Sequence, residues 1–283
     1  MELNSFIFPS PTFDKHFLNI YNDELIYIPL KEENKNNYIP CLFLHDDDQI
    51  SKNFIIYFHG NAEDMFLARG IAHYLYEVIK MNVIIVEYPG YSIYKGESNS
   101  EIILENTGIV YDFIKNKFNL EDKNMFVFGR SIGTSPAIYL SSIRKPNALF
   151  LVSAFTSIRS VANNVVGPLR YLLKERFISK DYIKNVICPI LFIHGRSDPL
   201  IPYKETVELK ELCTSYSEIV LPEYMTHNDF DLDNDIMEPI SQFIKKNIKV
   251  DDTKINLNDI KNEIEKLNKM PEDINEYIKN KFK

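Results

Sequence analysis

The chain has 283 residues, 45% of them hydrophobic and 13% aromatic, which is enough apolar material for a sizeable buried core and excludes a disordered polypeptide. A formal net charge of −8 argues against a general nucleic-acid surface, because that affinity needs clustered Lys and Arg. The three cysteines, Cys41, Cys188 and Cys213, are widely spaced, form no CxxC pair and leave one over from any disulfide, so they read as buried thiols of a reducing compartment.

Residues 1–8 carry no basic n-region followed by a long apolar run, and Glu2 stands where myristoylation needs glycine. No window approaches the ~18 consecutive apolar residues of a membrane span. The expectation is an intracellular, cytoplasmic protein, soluble or in peripheral contact with a membrane.

Short apolar runs rich in Ile, Val, Phe and Tyr predict eight strands, at 25–30, 38–44, 53–58, 82–87, 124–128, 148–152, 189–193 and 218–221. The first two alternate in polarity and are joined by the polar residues 31–37, as in an antiparallel hairpin. Later strands are hydrophobic on both faces and alternate with helical patterns at 63–79, 101–117, 131–143, 204–213 and 235–248. The fold class expected is therefore α/β, a mostly parallel sheet with helices on both faces. Residues 155–187 break the alternation and read as a small cap. A catalytic domain over 1–248 is followed by a charged extension, 249–283, in which Ile255, Leu257, Ile260, Ile264, Leu267 and Met270 recur at near-helical spacing until Pro271.

Chemistry concentrates after four of the strands. Gly129-Arg130-Ser131-Ile132-Gly133 is a G-x-S-x-G at a strand-to-helix junction, where a tight turn lifts a serine hydroxyl clear of the sheet. A serine needs a base and a residue to orient it. Asp198 follows the strand at 189–193 in His194-Gly195-Arg196-Ser197-Asp198, and His227 follows the strand at 218–221, giving the order Ser131, Asp198, His227. Asp229 is the competing acid, disfavoured by its closeness to His227. His59 and His194 each precede a glycine at a strand end and read as loop braces. His16, His45 and His73 read as surface or packing residues. In Phe58-His59-Gly60-Asn61 the loop after the third strand would supply one oxyanion-hole N–H from Asn61, with Ile132 supplying the other. The scattered histidines show no H-x-x-x-H, and there is no G-x-G-x-x-G after the first strand and no G-x-x-x-x-G-K-[ST], so neither a metal nor a cofactor is expected.

Taken with Tyr57-Phe58-His59-Gly60-Asn61-Ala62-Glu63-Asp64 and Glu87-Tyr88-Pro89-Gly90-Tyr91-Ser92, these motifs resemble the α/β-hydrolase-domain serine hydrolases, closest to the branch that contains protein depalmitoylases. The likeness runs over about residues 6–244. It implies an α/β-hydrolase fold and hydrolysis of a fatty acyl thioester on cysteine through Ser131, Asp198 and His227, with an acylated protein or a lipid ester as partner. A carboxylesterase or lipase acting on small or lipid esters is the alternative, and a non-catalytic protein of the same fold stands behind both. The chain departs from the branch in having no cysteine before Cys41, and in carrying Met225 and Thr226 where small glycines usually precede the histidine.

Overall fold

The computed structural model describes residues 8–30, 37–46, 49–166 and 175–281. The chain divides into two units, one made of Met1–Glu121 with Asp252–Lys283 and the other of Asp122–Asp251.

In the first unit, a short helix α1 (His16–Ile20) precedes β1 (Leu25–Pro29) and β2 (Tyr38–Leu44), which pair antiparallel with Leu25 opposite Leu42. After a short strand β3 (Gln49–Ser51) come β4 (Phe54–Phe58) and β5 (Asn82–Val86), parallel to each other, while β5 is antiparallel to β2. Every residue of β4 and β5 is buried, as the unbroken apolar runs require of strands covered on both faces. Helix α2 (Met65–Ile79) starts where the Asp64 carboxylate accepts from the Phe66 and Leu67 N–H groups at 3.0 Å, and it ends at Lys80 in a left-handed conformation. Helix α3 (Ser100–Lys117) is capped by Asn99, and Lys115 and Lys117 complement the dipole of its last turn.

The second unit begins with β6 (Met125–Arg130), β7 (Ala148–Val152), β8 (Ile190–Ile193) and β9 (Ser217–Val220), all parallel and in that order across the sheet. Its helices are α4 (Thr134–Ile143), α5 (Ile158–Val166), α6 (Ser179–Tyr182), α7 (Lys204–Leu212) and α8 (Glu238–Asn247), the last entered through a π turn at Leu232–Met237. Helix α6 packs on α4, where Tyr139 and Tyr182 meet edge to face at 5.0 Å. Of the expected cap, Phe155 is a core residue and Arg159 pairs with Glu175 at 3.2 Å, while 167–174 lie outside the described residues.

All eight expected strands are present, four in each unit, two with the expected boundaries and the rest moved by one or two residues. Strand β6 runs on through Gly129 and Arg130, to the residue before the serine. From Asp252 onward the extension belongs to the first unit. Its β10 (Lys254–Asn256) pairs antiparallel with β3, so Ile255 lies in a strand rather than on a helix. Helices α9 (Leu257–Asn268) and α10 (Glu272–Lys281) follow, separated around Pro271. They bury Ile264, Leu267, Ile274 and Ile278, and are tied down by Lys117 to Glu263, Asn268 to the Asp23 carbonyl at 2.8 Å and Lys281 to the Ser92 carbonyl at 3.1 Å.

Candidate active site

Ser131 follows an extended Arg130 and has φ +52°, a left-handed backbone that costs a non-glycine residue energy and that a sharp strand-to-helix turn demands. Gly129 is there for space: a Cβ on it would lie 2.5 Å from the Gly133 carbonyl oxygen and 2.8 Å from Ala137 Cβ. A 3-10 turn over Ser131–Gly133 leads into α4, so the Ile132 N–H lies in the first turn of a helical segment, whose end carries partial positive charge.

Asp198 lies on the loop after β8 and is only 8% exposed. Its Oδ1 accepts from the N–H groups of Leu200 (2.8 Å) and Ile201 (2.9 Å), and its Oδ2 accepts from His227 Nδ1 at 2.8 Å. Burial opposes the charge, but the donors on both oxygens and the neighbouring imidazoles outweigh it and hold the carboxyl well below the usual carboxylate range. An ionised carboxylate only accepts, so His227 Nδ1 carries the hydrogen and Nε2 is free to accept. His227 Nε2 lies 3.0 Å from Ser131 Oγ. The structure thus brings Ser131, His227 and Asp198 into one hydrogen-bonded chain inside the second unit, all three side chains buried.

Two features that hold this chain together could not be read from local sequence. Arg130 is 8% exposed, donates from one guanidinium nitrogen to the His227 carbonyl and to Asn228 Oδ1, both at 2.9 Å, and lies over the Phe230 ring. Gly195 lets the β8 loop pass against the backbone of Met225, two residues before the histidine; a Cβ there would stand 2.0 Å from the Met225 carbonyl oxygen. The competing acid, Asp229, is exposed, and its backbone closes a turn with Thr226 through bonds of 2.9 and 3.0 Å. His194 is fully buried and bonds to Thr206 and the Ile201 carbonyl.

Asn61 belongs to the first unit. Its side chain accepts from the Tyr91 hydroxyl at 2.8 Å, and the loop around it is pinned by His59, which bonds the Gly60 carbonyl (2.9 Å) and Glu87 (3.1 Å). Glu87 in turn accepts from the Met65 and Tyr88 N–H groups and from Ser92 Oγ. Burial works against charge on His59, yet the hydrogen bond and negative charge of Glu87 outweigh it and hold the imidazole above its ordinary value. Burial, followed by the charge of Glu87, pushes Asp64 up to about 6.

The cysteines are free thiols, and burial pushes Cys188 up to about 12 and Cys213 up to about 11, far from the thiolate that a cysteine nucleophile requires. Among the described residues no group of His, Cys, Asp and Glu is arranged to hold a metal, and no helix is long and apolar enough to cross a membrane.

Comparison with known proteins agrees with this architecture. Alpha/beta hydrolase domain-containing protein 17B of Homo sapiens is 26% identical over 214 residues, 76% of this chain and 73% of that protein. Among solved structures, the Pyrococcus furiosus esterase Pf2001 superposes with a TM-score of 0.67 at 14% identity, covering 86% of this chain and 98% of that one. Est1E from Butyrivibrio proteoclasticus does so with a TM-score of 0.60 at 14% identity, covering 79% and 98%. At that identity the likeness is one of fold, the α/β-hydrolase fold. The sequence pattern of the phospholipase/carboxylesterase family matches residues 88–248, more than half of the chain, and the protein belongs to that family of α/β hydrolases.

Proposed function

We propose that the protein is a serine hydrolase that cleaves acyl esters or thioesters through an acyl-enzyme on Ser131. The observation that carries this reading is the hydrogen-bonded run from Ser131 Oγ to His227 Nε2 (3.0 Å) and from His227 Nδ1 to Asp198 Oδ2 (2.8 Å). His227 Nε2 takes the serine proton as Oγ bonds to the acyl carbon, and Asp198, ionised, stabilises the imidazolium and fixes its tautomer. Negative charge gathers on the acyl oxygen, for which the backbone N–H groups of Ile132 and Asn61 are the proposed donors. The tetrahedral intermediate collapses as His227 returns the proton to the departing alkoxide or thiolate. Water, deprotonated by the same nitrogen, then attacks the acyl-enzyme and releases the carboxylic acid.

Thioesters of protein cysteine, as in depalmitoylation, are the substrate we favour, on the motif resemblance and on the 26% identity to the human relative. A carboxylesterase or lipase is the second reading, supported by the phospholipase/carboxylesterase match over 88–248. Apolar residues of 155–187 are proposed to cap the serine and receive the acyl chain. In that case each methylene buried contributes up to ~0.8 kcal/mol, so kcat/KM rises steeply with acyl length until the groove fills. Peripheral contact with an anionic membrane is part of the thioesterase reading, through the cations of the same stretch.

Two measurements test this. A fluorophosphonate probe should label the wild-type protein and not a folded Ser131→Ala variant, whose turnover should vanish; retained esterase activity there sinks the assignment. A chain-length series of soluble acyl thioesters and esters then separates the substrates, a profile flat beyond short chains leaving the small-ester reading in front.

A further inference from the structure

His194 follows β8 directly, and none of its surface reaches solvent. Its Nδ1 lies 2.6 Å from Thr206 Oγ1, a hydroxyl that also stands 2.8 Å from the Ala154 carbonyl oxygen. Its Nε2 lies 2.8 Å from the Ile201 carbonyl oxygen and 3.3 Å from Asp198 Oδ2. A carbonyl and a carboxylate both accept only, so Nε2 must carry hydrogen. The N–H serves the Ile201 carbonyl and stands 3.3 Å from the acid, beside the same carboxylate oxygen that receives His227 Nδ1. The opposite oxygen, Oδ1, is already committed to the N–H groups of Leu200 and Ile201.

A brace for the loop would need only the Ile201 contact. The second contact touches the electrostatics of the reaction, because each donor on a carboxylate draws off charge that would otherwise stabilise the imidazolium facing it. His194 and His227 are the two titratable side chains within bonding distance of Asp198 among the described residues.

We infer that His194 is a positioning residue for the acid: held by Thr206 and Ile201, its Nε2–H shares Asp198 Oδ2 with His227 and sets how strongly that oxygen retains a proton on His227. This rests on the reading of Ser131, His227 and Asp198 as the working triad. With the His194 donor in place, less of the charge on Oδ2 is left to hold a proton on His227. Without it, Oδ2 turns wholly to His227, and the ascending limb of the pH profile moves up.

The test compares kcat/KM for a soluble aryl ester between pH 5 and 9 in the wild type, His194→Leu and His194→Gln. The leucine variant removes the donor, and its midpoint should move up by about half a pH unit or more. The glutamine variant returns a neutral N–H near the position of Nε2, and its midpoint should come back toward the wild type. A loosened loop would lower kcat and leave the midpoint where it was, so an unmoved midpoint in folded His194→Leu overturns the inference. The wild-type protein gives a readout that does not depend on that variant folding: a nitrogen-15 spectrum of labelled histidines should show His194 Nε2 protonated at pH 8, and an unprotonated nitrogen overturns the inference. Ser131→Ala separates the two levels. If it keeps activity and probe labelling, the triad reading fails and this inference with it; if both are lost while the His194→Leu midpoint stays put, this inference alone fails.

Discussion

Gly195→Ala is the sharpest probe of how the acid and the base are kept in register. The added Cβ would lie 2.0 Å from the Met225 carbonyl oxygen, 2.5 Å from its carbon and 2.8 Å from Met225 Cγ, whereas ordinary contact begins at 3.4 Å. The nearest atoms are backbone and cannot rotate aside, so the two loops must part by about 1.4 Å. Asp198 lies three residues beyond Gly195 and His227 two beyond Met225, so the movement falls on the 2.8 Å bond between them. A gap of that size takes the pair past hydrogen-bonding range, and misplacement of about 1 Å costs on the order of 100-fold in rate. The overpacking itself costs about 1–3 kcal/mol of stability. The assay is kcat on a soluble ester, the rate of fluorophosphonate labelling and the thermal midpoint, with Gly70→Ala as control. Gly70 is exposed within α2 and a Cβ there meets nothing within 4 Å, so alanine should leave kcat alone and gain up to about 1 kcal/mol from helix propensity. A Gly195→Ala enzyme with wild-type kcat and midpoint refutes the argument.

Arg130→Met removes two charge-assisted bonds to the histidine loop, each worth about 1.5–3 kcal/mol in place, while keeping much of the packing. We expect kcat and the labelling rate to fall together by about 10–100-fold with KM little changed, and an unchanged labelling rate would show that the loop is held by other means. Asp64→Asn retains the oxygen that caps α2 and removes a buried charge. In the folded state the Asp64 carboxyl is raised to about 6 from 3.8, so the native protein binds more protons than the unfolded chain between those values. Stability from this group is therefore intact below pH 3.8 and falls as pH rises through about 6, a loss on the order of 3 kcal/mol. Urea midpoints from pH 4 to 8 should show the asparagine variant gaining on the wild type as pH rises, and parallel curves would sink the prediction.

Ser131, Asp198 and His227 were legible because they follow β6, β8 and β9 in the order a serine, its acid and its base take, and because the backbone demands of the serine turn leave glycines at fixed spacing. Their supports were not. Arg130 occupies a variable position of G-x-S-x-G, and its partner lies 97 residues away. Gly195 reads locally as a turn glycine, while its need for hydrogen in place of a side chain comes from Met225. The contact of His194 with Asp198 depends on how the loop curls back, which no periodicity encodes. Strands β3 and β10 have three residues each, too few for alternation to register, so the extension read as a single helical stripe although its first residues form a strand.

The pairing of β3 with β10 also has a consequence in time. Residues 49–51 emerge from a ribosome early, yet their partners at 254–256 follow only after the roughly 130 residues of Asp122–Asp251 have been made. The two strands lie 205 residues apart, so at about 5–20 residues per second the wait lasts roughly 10–41 s. Through it β4 and β5 can pair as soon as they leave the exit tunnel, whereas β3 waits. The stretch bearing Ser131, Asp198 and His227 is contiguous, so translation delivers all of its strands before the earlier-made unit has received its closing piece.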